Sequence, residues 1–221
     1  MKPVLEFLAE LERNNKREWF NANKGKYEAA NKEVISLTGQ VLENIQAFDS
    51  GLSDIVAKDC LFRIYRDVRF SGDKSPYKNN MGAWMAAGGK KSPSAGYYMH
   101  FQPGQSFVAA GVWMPESPVL NAIRQEIHFN HAALSKVLNG KDFKRTFPKL
   151  DDYQLKTVPK GFEKDHPAIE LLKYKSFVVS FQMDDKSVKG RDLLPLVTEL
   201  FKSASPFVRF LNEAIEMAKP V

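Results

Sequence analysis

Between Arg63 and Lys78 the chain reads Arg63-Ile64-Tyr65-Arg66-Asp67-Val68-Arg69-Phe70-Ser71-Gly72-Asp73-Lys74-Ser75-Pro76-Tyr77-Lys78, which sets five cations against two carboxylates. That excess of three is half of the formal charge of +6 carried by all 221 residues. Guanidinium forks grip the paired oxygens of a phosphate or carboxylate, and a lysine beside them adds a point charge. The segment is therefore expected to bind an anionic group through Arg63, Arg66, Arg69, Lys74 and Lys78, with Asp67, Asp73 and Tyr77 in the same site. A competing reading pairs Arg66 with Asp67 and Asp73 with Lys74, so that the ions merely brace a long loop.

His100 follows Tyr98 in an aromatic segment and is the candidate catalytic residue, a neutral imidazole able to act as general base or ligand contact. The alternative is a satisfied sheet histidine, since no catalytic partner is evident. His128 and His131 stand at i, i+3 near Glu126, but the helical zinc-protease pattern is missing and a catalytic zinc needs three protein ligands, so no metal is expected. His166, before Pro167, is expected only to start a helix. Lys160, in Pro159-Lys160-Gly161-Phe162, could join an anion site or mark no more than a turn. Gly88-Gly89-Lys90-Lys91-Ser92 fails as a phosphate loop, because Trp84 occupies the position of its first glycine and the segment joins two strands. It reads as a flexible turn. The lone Cys60 lies in an apolar run, where an inert thiol is expected, and it excludes an intrachain disulfide. No pattern names a cofactor.

These groups need elements to hold them. Leu5, Leu8 and Leu11, then Val34, Leu37, Val41, Leu42 and Ile45, mark apolar stripes of helices separated by a turn at Asn14-Asn15. Phe62 and Ile64 alternate with Arg63 and Tyr65 as in a half-buried strand. Pro103-Gly104 suits a tight turn between strands 96–102 and 106–114. If Phe101 opposes Ser106, then Tyr97, Met99, Phe101, Val108, Ala110, Val112 and Met114 share a core face. Tyr98, His100, Phe107, Ala109, Gly111 and Trp113 share the other, and the small Ala109 and Gly111 leave room there for a pocket floor. Tyr98 and Trp113 are accordingly candidate ligand contacts.

Helices return after Ser117-Pro118, Asp192 and Ser205-Pro206, each read as a helix start, with a strand at 177–183 between them. Residues 139–164 are the least regular stretch. The order of helices, strands, and helices with one more strand predicts an α+β fold over 1–221, one domain with an antiparallel sheet packed against N- and C-terminal helices. Composition agrees: 43% hydrophobic and 26% charged residues is ordinary globular usage. No apolar run is long enough to span a bilayer, the first residues are unlike a secretory signal, and one cysteine suits a reducing compartment, so a cytoplasmic location is expected.

The string R-x-x-R-D-x-R-F-S-x-D-K-x-P-Y-K at 63–78 resembles the bacterial and fungal family known as domain of unknown function 2461. Further pieces agree in order: Asn14-Asn15 with Trp19-Phe20, Gly96-Tyr97-Tyr98, Pro103-Gly104, Gly111 with Trp113 and Pro115, Arg124, Pro159-Lys160-Gly161-Phe162, Asp165-His166-Pro167 and Lys175-Ser176-Phe177. The resemblance covers nearly the whole chain. It implies one domain and no particular activity.

Three functions are compatible with this pattern. In the favoured one, the basic loop and the His100 face converge on a phosphorylated or carboxylated small molecule, with or without catalysis. In the second, the cations follow a nucleic-acid backbone while aromatic residues stack bases. In the third, the loop is purely structural and the protein acts by docking another protein.

Overall fold

A computed structural model describes residues 1–217; the last four residues of the expected 1–221 domain lie outside the described residues. The chain opens with helices α1 (Lys2–Arg13), α2 (Arg17–Ala22) and α3 (Lys24–Gln46), and a 3-10 turn at Ser50–Leu52 leads to α4 (Ala57–Cys60). Strands β1 (Met81–Ala86), β2 (Gly96–Phe101) and β3 (Ser106–Val112) follow. Then come α5 (Ser117–Leu138), α6 (Lys141–Thr146), α7 (Ile169–Leu172), β4 (Phe177–Met183), α8 (Asp185–Lys189) and α9 (Leu193–Met217). The four strands form one antiparallel sheet in the order β1-β2-β3-β4, giving an α+β fold.

Helices cover one face of this sheet. Both apolar stripes of the N-terminal half are buried in α1 and α3, as helical spacing requires. α3 lies against β1, α9 against β3, and α5 packs behind α9. On that face Tyr97, Met99, Phe101, Val108, Ala110, Val112, Phe177 and Val179 are buried in one apolar cluster with the helices. The expected hairpin register holds: His100 opposes Phe107, Met99 opposes Val108, and Gln105 N–H donates to the Gln102 carbonyl.

Four expectations need correction. Met114 is not in the core: β3 ends at Val112, and Met114 is 52% exposed with φ of 46°. Its N–H is captured by the hydroxyl of the buried Ser176 (2.8 Å), which turns the chain away from the sheet. Phe62 and Ile64 do not share a face; Ile64 is buried but Phe62 is 44% exposed, because isolated bridges, Leu61 to Ala83 and Tyr65 to Tyr77, hold this stretch in place of a continuous strand ladder.

The other two concern helix starts. Ser117 does not cap α5, because the extended Glu116 stands at the cap and Ser117 is already helical. Pro206 begins no helix; it lies inside α9. A proline there leaves the Lys202 carbonyl without its backbone donor. The Ser205 hydroxyl donates to that carbonyl instead, at 3.0 Å, so the dipeptide that looks like a helix start repairs a helix interior.

Candidate functional site

The sheet's second face carries Trp84, Tyr98, His100, Phe107, Ala109, Gly111, Val178 and Ser180 in register across the four strands. Loops, with Val119 from the first turn of α5, wall this face and leave a pocket of about 870 Å³. Its floor is Trp84, Tyr98, Phe107, Ala109, Gly111 and Val178. Phe62, beyond β1, and residues Lys90–Ser94 of the β1–β2 connection form one wall; Trp113 to Glu116 close one end, and Asp151 and Tyr153 stand beyond β4.

Tyr98 is held from several sides. Its ring meets the edges of Phe62 and Phe107 with centroids 6.1 and 5.7 Å away. It leans across β1 over Gly82, where an added Cβ would come within 2.5 Å of the phenol oxygen. Burial pushes the phenol pKa up to about 12, so the hydroxyl stays protonated. It lies 3.0 Å from His100 Nδ1, while His100 Nε2 lies 3.1 Å from the Gln102 side-chain oxygen. One neutral tautomer satisfies both, accepting at Nδ1 and donating at Nε2. The His100 ring stacks on Phe107 at 4.6 Å and 18°. His100 thus stands behind the floor and is not part of the pocket lining.

Burial lowers the His100 pKa from its ordinary 6.5, against a smaller opposing effect of the Gln102 bond. The unfolded chain then takes up the proton at a higher pH than the folded one does. Stability is complete above the unfolded value and is lost as pH falls below it toward the folded value. The melting temperature of the wild type should therefore drop more steeply from pH 7 to pH 5 than that of His100→Gln, read by differential scanning calorimetry. Parallel curves would mean that His100 titrates as freely as in an open chain.

The basic segment is an irregular arm, closed by hydrogen bonds from Arg66 N–H to the Pro76 carbonyl (3.0 Å) and from Lys78 N–H to the Ile64 carbonyl (2.8 Å). Its ion pairs are not those of neighbours in sequence: Arg66 pairs with Asp73, and Arg69 grips both oxygens of Asp67 at 3.0 and 2.6 Å. Lys74 donates to the Val68 carbonyl at 3.0 Å. Hydrogen bonds from Ser75, then the Arg66 contact, hold the Asp73 carboxyl down to about 2, and Arg69 lowers that of Asp67. Phe70, at the tip, is 97% exposed beside Arg69. Tyr77 is buried at the base, stacked on Phe20 at 4.1 Å.

Only the base of this arm comes near the pocket, and none of residues 63–78 lines it. Lys78 and Lys90 place their ammonium groups 5.6 and 5.8 Å from the centre of the Phe62 ring, and Lys90 also donates to the Leu61 carbonyl. Burial and then the charge of Arg63 lower the Lys78 pKa. Lys90 and Lys91 line the pocket, and neither pairs with a carboxylate among the described residues.

Of the residues singled out in the sequence, Tyr98 and Trp113 line the pocket, while Lys78 flanks its Phe62 wall. Arg63, Arg66, Asp67, Arg69, Asp73, Lys74 and Tyr77 stay in the arm. Lys160 is exposed in a turn whose Phe162 packs on His128, outside the pocket lining. Lys90 and Lys91, set aside in the sequence as part of a flexible turn, are lining residues, as are Asp151 and Tyr153, which the sequence did not single out. A Gly-Gly-Lys-Lys turn between two strands was a signal for the first two. Asp151 and Tyr153 gave none, being fixed by long-range bonds to β4 and Lys175.

Away from the pocket, His128 stacks on His166 at 4.7 Å and His131 lies 5.7 Å from it, yet no group of three metal-ligating side chains is placed to hold an ion among the described residues. Cys60 is a buried free thiol with its pKa raised to about 11 by burial, which keeps it unreactive. No helix among the described residues is long and apolar enough to cross a membrane.

A family model described as Conserved hypothetical protein (DUF2461) matches residues 3–210. The chain belongs to this family. Within it, the matched span takes in the whole sheet, the arm and every wall of the pocket. No curated protein and no solved structure matches the chain.

Proposed function

We propose that this protein binds a small molecule whose flat apolar body lies on the open sheet face and whose phosphate or carboxylate meets the Lys90–Lys91 wall. The observation that carries this reading is the pocket itself, about 870 Å³ with an aromatic and small-residue floor and two lining lysines that have no carboxylate partner among the described residues. That volume suits a drug-sized ligand, and an apolar lining with few polar groups is the usual composition of such sites. Lys78, poised over Phe62, extends the positive wall toward the arm. Arg66 and Arg69 are already engaged by Asp73 and Asp67, which favours a bracing role for the arm and weakens the case for a nucleic-acid track along it. Binding, with no chemical step, is what this lining supports.

1-Naphthyl phosphate is the probe that tests the reading. It is expected to raise the melting temperature in proportion to the logarithm of its excess over Kd, whereas 1-naphthol at the same concentration should act far more weakly. Lys91→Glu replaces attraction by repulsion and should weaken the phosphate about tenfold or more, each charged hydrogen bond being worth roughly 1.5–3 kcal/mol. Equal shifts from the phosphate and the alcohol, or an unchanged Kd in Lys91→Glu, would remove the anion from the proposal.

A further inference from the structure

We infer that the ligand is bipolar: a planar heteroaromatic carrying an amino donor at the end opposite its phosphate, the chemistry of an amine-bearing mononucleotide. This deepens the proposed pocket function and rests on it. The pocket separates its charges. Lys90 stands on the β1 side, tied to that edge through the Leu61 carbonyl and the Leu61–Ala83 bridge, and Lys91 follows it in the same β1–β2 connection. Asp151 stands on the β4 side, where its N–H donates to the Val178 carbonyl (2.8 Å) and its Oδ1 accepts from the Ser180 hydroxyl (2.8 Å).

Asp151 has no cationic partner among the described residues, and its Oδ2 accepts no hydrogen bond there. The edge strands β1 and β4 are themselves three strand spacings apart, about 14 Å, and the two walls stand at or outside them. Opposite charges that far apart do not satisfy each other; they are complementary to a molecule with the reverse polarity. Allowing about 3 Å of hydrogen-bond reach at each end leaves roughly 8 Å or more between the ligand's anionic and donor groups. That separation suits a nucleoside monophosphate, with phosphate at Lys91, base amine at Asp151, and ring over Ala109 and Gly111 beside the exposed Trp113.

Isothermal titration of wild type and Asp151→Asn with adenosine 5′-monophosphate, inosine 5′-monophosphate and 1-naphthyl phosphate tests this. The first two differ by an amine against a carbonyl at one ring position. Wild type is expected to prefer the amine-bearing nucleotide about tenfold, Asp151→Asn to lose that preference, and naphthyl phosphate to bind both proteins alike. The variant keeps an acceptor for Ser180, and its melting curve verifies folding. If naphthyl phosphate binds wild type but the two nucleotides bind equally, or Asp151→Asn weakens every probe to the same degree, the bipolar assignment is overturned while the pocket reading stands. If no probe binds wild type, both fall.

Discussion

Gly111→Ala should be among the most destabilising single substitutions in this protein, costing more than about 4 kcal/mol, a loss reached only by outright steric or cavity mechanisms. Gly111 sits in β3 at φ of 125°, a region closed to side chains, and an added Cβ would lie 1.9 Å from the Phe177 carbonyl oxygen. That oxygen belongs to the backbone of the neighbouring strand, so it cannot swing aside as a side chain would. The Phe207 ring, 3.1 Å away, closes the remaining route. Gly25→Ala is the control: nothing lies within 4 Å of its Cβ position in α3, and alanine there should add a few tenths to about 1 kcal/mol. Urea unfolding of the three proteins measures both differences. A mild cost for Gly111→Ala would mean that β3 and β4 are not closed against each other as described.

The second large effect concerns binding. Ala109 lies in the pocket floor and is 8% exposed, so its methyl group faces the cavity. Ala109→Phe would add a ring to that space without entering the helix-covered core. Affinity for 1-naphthyl phosphate should fall at least a hundredfold, about 2.7 kcal/mol or more, with the melting temperature of the free protein little changed. Because Ala109 is remote from the arm, a ligand held by Arg66 and Arg69 would be indifferent to the substitution. Retained affinity in a folded Ala109→Phe would therefore move the site away from the sheet.

The alternation of Tyr97 to Phe101 and of Phe107 to Val112 made the two sheet faces legible in the sequence, because a two-residue turn at Pro103-Gly104 locks the register and each side chain's face follows. The same pattern marked Ala109 and Gly111 as space for a pocket. It failed at Met114, where a single hydrogen bond from its N–H to the Ser176 hydroxyl, 62 positions away in sequence, ends the strand. It failed again at Pro206, where local helix-start chemistry was outweighed by burial of Phe207, Phe210 and Leu211 against the core.

The charge excess at 63–78 was equally visible, but its allocation was not. Arg66 reaches past Asp67 to Asp73 only because the arm doubles back on itself. Asp151 is unreadable for the same reason, since nothing near it in sequence shows that β4 lies alongside. Side chains set by local periodicity could be assigned, whereas those set by distant backbone could not.

The most direct test of the sheet-face pocket is a titration of 1-naphthyl phosphate into ¹⁵N-labelled protein, followed by amide chemical shifts. The pocket account predicts the largest changes in the turn 89–94, in β3 from Ala109 to Trp113, and around Asp151 and Tyr153, with the arm from Arg66 to Lys74 nearly still. Shifts concentrated in the arm, with the floor of β3 unmoved, would contradict it.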